Sequence, residues 1–323
     1  MVIKGLCLAA LAGALGAALL GTAPAMASGG IAQVACAGSF QLALDQHLGP
    51  AFTAATGDLY QSQAGGSLAI AQEIVAGEIH PNVFIPVGPA PMELLEPRFT
   101  SWAVRFASSP LVVAYYPRGA HATELGRIAR GKLPIKDLFR LLATPGFRLG
   151  RTDPAVDPQG QGFAMMFQLA RRELHLSAAT VASDLGGADP GGQIFAETSL
   201  ESTLQAGQLD AASAYLSQAV QLHLPYIPLP SDLNFGNPRD AHLYAWASLR
   251  LSTGPTVHGS VLDLEASALK GPGEAAADSF IAFLLRRPGR ALLRQEGYQL
   301  LSPAVLGKAS AVPGLIRKLV RET

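Results

Sequence analysis

The chain is 323 residues long, with 24 basic against 24 acidic side chains, 49% hydrophobic and 15% charged residues, and two cysteines. Such a balance excludes the basic field that nucleic acid or an anionic membrane surface requires. The length suits about two domains with adequate cores.

At the N-terminus, Met1-Val2-Ile3-Lys4 carries one positive charge, residues 7–20 form an apolar run rich in Ala and Leu, and Ala25-Met26-Ala27 is a small-x-small cleavage site. This pattern predicts a signal peptide over residues 1–27. The run is short and leads into Gly21 and Pro24 rather than a stop-transfer pattern, so an exported chain from Ser28 is expected, with no stable membrane insertion after cleavage. That chain holds 23 basic and 24 acidic residues, a formal charge of −1. Cys7 leaves with the signal peptide, and Cys36 remains as a lone, buried structural thiol that has no partner for a disulfide within the chain.

Residues 31–36 predict a short strand that Ala37-Gly38-Ser39-Phe40 turns into a helix over 42–56. The alternating stretch 59–63, the loop Ala64-Gly65-Gly66-Ser67 and a helix over 68–76 repeat that order. A third unit begins with the strand 82–87 and a helix at 91–95. Repeated β-α units predict an α/β fold with a mainly parallel sheet and ligands at the carboxyl ends of its strands, where Ser39 and Ser67 fall. Residues 111–116, stopped by Pro117, read as a buried strand crossing to a second lobe, with Ser108 and Ser109 just before it. A helix at 136–142, a strand at 147–151, a helix at 200–206 and a strand at 209–214 follow, the last with Tyr215-Leu216-Ser217-Gln218 at its carboxyl end. A second crossover strand is predicted over 243–251, then helices over 273–287 and from Pro288 to Gly297. The outline is two lobes, each a mainly parallel sheet flanked by helices. Residues 28–116 with 242–323 form the first and 117–241 the second, and the two crossover strands serve as the hinge.

The stretch Thr152-Asp153-Pro154-Ala155-Val156-Asp157-Pro158-Gln159-Gly160-Gln161-Gly162-Phe163 introduces a helix whose apolar positions are Phe163, Met166, Phe167, Leu169 and Ala170. Its two Asp-Pro steps and two glycines make the loop non-helical. The helix start that follows offers free N–H groups and a positive dipole end, enough to hold an oxyanion without lysine or arginine. An ordinary Asp-capped helix is the competing reading. Ser39 and Ser67 are likewise either ligand donors or helix caps. Tyr215 is either a ligand contact or a core residue with a satisfied hydroxyl, and Ser109 and Ser217 are further candidate donors. An enzyme finds little support: the chain has no G-x-S-x-G, no P-loop and no G-x-G-x-x-G. The seven histidines are scattered without an i,i+4 pair, so neither zinc nor another cofactor is expected.

Taken together, Ala37-Gly38-Ser39, Ala64-Gly65-Gly66-Ser67, Asp157-Pro158 with Gly160, Leu204-Gln205-Ala206-Gly207-Gln208-Leu209-Asp210, Tyr215-Leu216-Ser217-Gln218-Ala219-Val220 and Leu224-Pro225-Tyr226-Ile227-Pro228-Leu229-Pro230 resemble a known pattern. The chain is similar to the periplasmic solute-binding proteins of ABC transporters, in their tungstate- and molybdate-binding branch. The resemblance implies a two-lobed, type II periplasmic binding fold, a small oxyanion ligand, a membrane permease as partner, a periplasmic or extracytoplasmic location and a monomer. It implies hydroxyl and backbone N–H donors from Ser39 and Ser67, Asp157 beside the central atom of the oxyanion, and Tyr215 approaching the anion; Gly66 and Gly160, in the matching motifs, are candidate ligand-site residues with them. Asp157 then either binds the ligand, caps its helix or acts indirectly. Where that branch has a second carboxylate, just before the tyrosine, this chain has Ala214, and where many relatives carry Asp before the third strand it has Asn82. Another anion, such as sulfate or an organic acid, and a periplasmic α/β enzyme are the alternatives.

Overall fold

A computed structural model describes residues 29–177 and 192–322; the signal-peptide reading falls on residues outside these. The chain begins with β1 (Ile31–Ala37), α1 (Gly38–Ala43), a π-helical turn (Leu44–Leu48) and α2 (Gly49–Thr56), which together form one unbroken helix after the first strand. Next come β2 (Leu59–Gly65), α3 (Ser67–Ala76), β3 (Val83–Ile85), α4 (Pro89–Glu93) and β4 (Trp102–Ser108). The middle of the chain holds β5 (Leu111–Tyr115), α5 (Ala122–Ala129), α6 (Lys136–Leu142), β6 (Leu149–Thr152), α7 (Pro158–Glu173), β7 (Ile194–Phe195), α8 (Glu197–Gln205), β8 (Ala211–Tyr215), α9 (Leu216–Gln221) and β9 (Tyr226–Pro228). It closes with α10 (Ala241–Tyr244), the hairpin strands β10 (Ser248–Arg250) and β11 (Thr256–His258), then β12 (Asp263–Ala268), α11 (Glu274–Leu285), α12 (Arg287–Gln295), β13 (Gln299–Gly307) and α13 (Gly314–Glu322).

The strands form a six-stranded sheet in the order β13-β4-β12-β3-β1-β2 and a five-stranded sheet in the order β7-β6-β8-β5-β9. Alternate residues of each central strand feed different cores. On β1, Val34 and Cys36 face one apolar cluster and Ala35 the other; on β5, Leu111 and Val113 are separated from Val112 and Ala114 in the same way. That two-sided burial explains why these strands read as continuous apolar runs. Asn82 fastens the centre of the first sheet: its Oδ1 accepts from the Gln33 N–H at 2.8 Å and its Nδ2 donates to the Ile31 carbonyl at 2.9 Å. Cys36 is fully buried, and burial, followed by the nearby Asp45 and Glu197, pushes its thiol pKa up, so it stays protonated and inert.

Both sheets are mixed rather than mainly parallel. β1 pairs parallel with β2 and β3, and β6 parallel with β7 and β8, where β-α units follow one another. The strands next to the passages between sheets run antiparallel: β12 to β3 and β4, β13 to β4, and β5 to β8 and β9. The chain leaves the first sheet at the end of β4, turns through Ser109-Pro110 and enters the second as β5.

The crossover strand expected over 243–251 is not one strand. Tyr244 and Ala247, three apart, are fully buried through a helical turn, whereas Leu249 and Leu251 alternate in the β10–β11 hairpin. The apolar run thus changes period in the middle, which a strand template does not register. The return to the first sheet is made by β12. Its sequence, Asp-Leu-Glu-Ala-Ser-Ala, hides it by placing two carboxylates on a buried strand. Asp263 lies 3.6 Å from the Arg105 guanidinium on β4, and burial raises the Glu265 carboxyl to about 9, so that it is held neutral.

Candidate ligand-binding site

Two helix starts of the first sheet face the second sheet's loops. α1 follows β1 directly, with Ala37 as an extended N-cap and no side-chain cap, which leaves its first N–H groups to an outside acceptor. Glu197, at the start of α8, supplies it: Oε2 accepts from the Gly38 N–H at 3.0 Å and Oε1 from the Ser39 N–H at 2.9 Å. At the neighbouring helix α3, the Leu68 N–H donates to the Val156 carbonyl at 3.1 Å. A Cβ on Gly66 would lie 2.8 Å from that same oxygen and 3.6 Å from the Asp157 Cβ. Gly66 is therefore what lets the Asp157 loop approach so closely.

On the other side, Asp157 is the N-cap of α7. Its Oδ1 accepts from the Gln159 N–H at 2.8 Å, while its Oδ2, in a residue only 3% exposed, has no hydrogen-bond partner of good geometry. One oxygen caps the helix and the other stays available. Tyr215 closes β8, and its hydroxyl is buried without a partner. A chain of amides runs behind them: Ser213 Oγ donates to Gln159 Oε1 at 2.8 Å, Gln159 Nε2 to Gln218 Oε1 at 2.9 Å, and the Tyr215 N–H to the same Gln218 oxygen at 2.8 Å. It ties the start of α7 to the start of α9, so Asp157 and Tyr215 form one rigid wall.

Electrostatically the site is dominated by three buried carboxylates. Burial raises Asp157 to about 6; the Gln159 N–H and the nearby Thr152 hydroxyl oppose that rise, and Asp153 adds to it. Glu201, one turn after Glu197 on α8, is raised to about 7, by burial first and then by Asp157. Glu197 is pushed well above the usual range by burial, Asp157 and Glu201, against the Ser39 contacts that favour its charge. Burial, Asp157 and Glu197 also raise the Tyr215 hydroxyl, which keeps it a neutral donor. Glu197 lines two cavities. One of about 380 Å³ is bordered by Ser39, Gln41, Glu201 and Gln218, and one of about 360 Å³ by Gly66, Thr152, Asp157 and Phe195. Among the described residues, no group of His, Cys, Asp and Glu is placed to hold a metal ion.

The expected site residues are distributed unevenly. Ser39, Gly66, Asp157 and Tyr215 meet around Glu197. Ser67 is buried beside them, but its Oγ accepts from the Val87 N–H at 3.1 Å. Ser67→Ala is expected to lower stability by about 1–3 kcal/mol in a urea titration, because that buried N–H loses its acceptor; a variant as stable as the parent would mean the bond contributes nothing. Ser109 and Ser217 bond to each other, with Ser109 Oγ donating to Ser217 Oγ at 2.9 Å and accepting from the Ser217 N–H at 3.0 Å, and so pin α9 to the passage between sheets. Gly160 packs its backbone against the loop: a Cβ there would lie 2.4 Å from the Thr152 carbonyl oxygen. Glu197, Glu201, Thr152, Gln159 and Gln218 are site residues that sequence reasoning missed. An acidic residue in a helix's first turn is an ordinary dipole partner and carries no signal of its own.

The chain matches the family model for bacterial extracellular solute-binding proteins over residues 32–299. The chain belongs to this family. Its relatives include a Haloferax volcanii protein whose name assigns it provisionally to molybdenum binding in an ABC transporter, 32% identical over 285 residues and 87% of each chain. The molybdate/tungstate-binding protein WtpA of Pyrococcus abyssi is 27% identical over 269 residues, or 76% of each chain. Among solved structures, the periplasmic molybdate-binding protein of Azotobacter vinelandii has the same fold, with a TM-score of 0.55 at 19% identity over 83% of this chain and 99% of that one. This solute-binding protein thus has the type II periplasmic binding fold. Among its described residues no helix is long and apolar enough to cross a membrane.

Proposed function

We propose that this solute-binding protein captures a small oxyanion, molybdate or tungstate, outside the cytoplasm and delivers it to the permease of an ABC importer. One observation carries the reading. Two adjacent backbone N–H groups at the start of α1 hold the Glu197 carboxyl group of the opposite lobe, one oxygen each, with donor–acceptor distances of 3.0 and 2.9 Å, in the way a helix N-terminus holds an oxyanion. The relatives named for molybdate and tungstate point to the same ligand class. The unpartnered Tyr215 hydroxyl supplies a further neutral donor. A transported ligand needs binding and release rather than chemistry, so the protein acts as a binder and not as an enzyme, and as a monomer with a lobe on each side of the cleft. The lobes, expected as 28–116 with 242–323 and as 117–241, we instead divide at hinges at Ser109-Pro110 and at residues 259–262, where the chain passes between sheets, so that β5, a strand of the five-stranded sheet, belongs to the second lobe.

The second reading, an organic acid, is favoured by the fact that the group on the Gly38 and Ser39 N–H pair is itself a carboxylate. Thermal unfolding of the chain from Ser28 with molybdate, tungstate, sulfate and succinate separates the two. A ligand at 100 times its dissociation constant adds roughly 2.7 kcal/mol, and molybdate or tungstate is expected to give that shift. Tyr215→Phe is expected to lower the affinity for that anion about tenfold, as the loss of one hydrogen bond to a charged group does, while unliganded stability stays level or rises. A shift with succinate alone moves the assignment to organic acids, and no shift with any of the four sinks the anion reading.

A further inference from the structure

We propose that Glu197 is an internal competitor for the anion seat: its carboxylate and an oxyanion cannot share the Gly38 and Ser39 N–H pair, so the anion binds there only by displacing Glu197. The proposal rests on the oxyanion reading and deepens it. Each N–H of the pair has one hydrogen to give, and Glu197 takes both with separate oxygens. It is not a remote ornament of the helix start, because the same residue lines two cavities, which leave open space beside its side chain. The seat is also more than a bare helix start. The hydroxyl of Tyr215, 1% exposed, is buried without a hydrogen-bond partner, close enough that Asp157 and Glu197 both act on it.

Displacement has a consequence for protons. Glu197 interacts with Asp157 at the start of α7 and with Glu201 on its own helix, and it acts on Tyr215 at the end of β8 and on Cys36 on β1, while Asp45 lines one of the two cavities beside it. Once off the two N–H donors, Glu197 loses the contacts that favour its charge and meets both the other carboxylates and the incoming anion. Where Glu197 is ionised in the free protein it therefore takes one proton from solvent as the anion takes the seat, and no bond other than that O–H is made; where burial already holds it protonated, it leaves the seat neutral. Release follows the reverse order: as the proton leaves, Glu197 reclaims the N–H pair.

The test is calorimetric titration with molybdate at about pH 6.5 and pH 8.5, each in two buffers of different ionisation enthalpy, on the parent protein and on Glu197→Gln. Expected for the parent are proton uptake that rises from pH 6.5 to pH 8.5, toward one proton per anion, as Glu197 ionises in the free protein, and an affinity that falls by up to about tenfold per pH unit above that titration. Glu197→Gln should take up no proton, show a nearly flat affinity against pH, and bind more tightly than the parent at pH 8.5. Parent binding with no proton uptake overturns the proposal without recourse to any variant. Uptake that persists in Glu197→Gln overturns it too, since the proton then belongs to Asp157 or Glu201. If neither protein binds molybdate, tungstate or sulfate, the oxyanion reading fails and takes the proposal with it.

Discussion

Gly160→Ala is expected to destabilise the protein by roughly 3 kcal/mol and to abolish anion binding. A Cβ at this position would stand 2.4 Å from the Thr152 carbonyl oxygen and 2.8 Å from the Pro154 nitrogen, both backbone atoms that cannot rotate aside. Overpacking of a rigid core costs about 1–3 kcal/mol, and a clash with main chain on two sides belongs at the upper end. The strain is relieved only if the first turn of α7 moves off the end of β6, and Asp157, three residues earlier, moves with it. The absence of a Cβ at Gly160 thus fixes the position of Asp157 against the end of β6. Urea denaturation and molybdate titration check both parts; a variant with parental stability would show that the loop yields easily.

Asp157→Asn is expected to act in the opposite direction on the unliganded protein. The folded-state pKa of Asp157 is raised from 3.8 to about 6, so folding binds its proton more tightly. The stabilisation this gives is complete below the unfolded pKa and is lost as pH rises through about 6. Glu201, raised from 4.5 to about 7, has the same sign over the next interval. The free protein should thus lose stability between about pH 4 and pH 7. Asparagine keeps an oxygen for the Gln159 N–H and caps a helix as well as aspartate does, but it carries no charge. At about pH 8 the variant should be more stable than the parent by on the order of 1–3 kcal/mol, at about 1.4 kcal/mol per pKa unit, and the difference should vanish near pH 4. Chemical denaturation at the two pH values reads it directly. Lower stability of Asp157→Asn at pH 8 would mean that the buried carboxylate has a counter-charge.

Only part of the site was legible along the chain. Ser39, Gly66, Asp157 and Tyr215 sit at strand ends or helix starts, where local composition marks a turn. Glu197 and Glu201 look like the solvated acidic face of a short helix, and only the packing of α8 against α1 and β8 buries them. Ser67 and Ser109 were marked by the same rule as Ser39. Their hydroxyls also make bonds within the fold, Ser67 accepting from the Val87 N–H and Ser109 donating to Ser217, partners 20 and 108 residues away that no local pattern reveals. The strand β12 escaped because its two carboxylates sit beside Arg105, and a period-2 test takes charged residues for exposed ones.

By itself the sequence determined the β-α order along the chain and a capped helix start as one reading of Asp157, because hydrophobic period, Asp-Pro steps and glycines act within a few residues; the class of protein came from the resemblance of its motifs to a known family. The tertiary structure alone decided the mixed direction of the strands, the true return strand and the carboxylate seated on Gly38 and Ser39. Those depend on which distant groups share a buried, low-dielectric space, where the cost of an unpaired charge is set by neighbours that are remote in sequence.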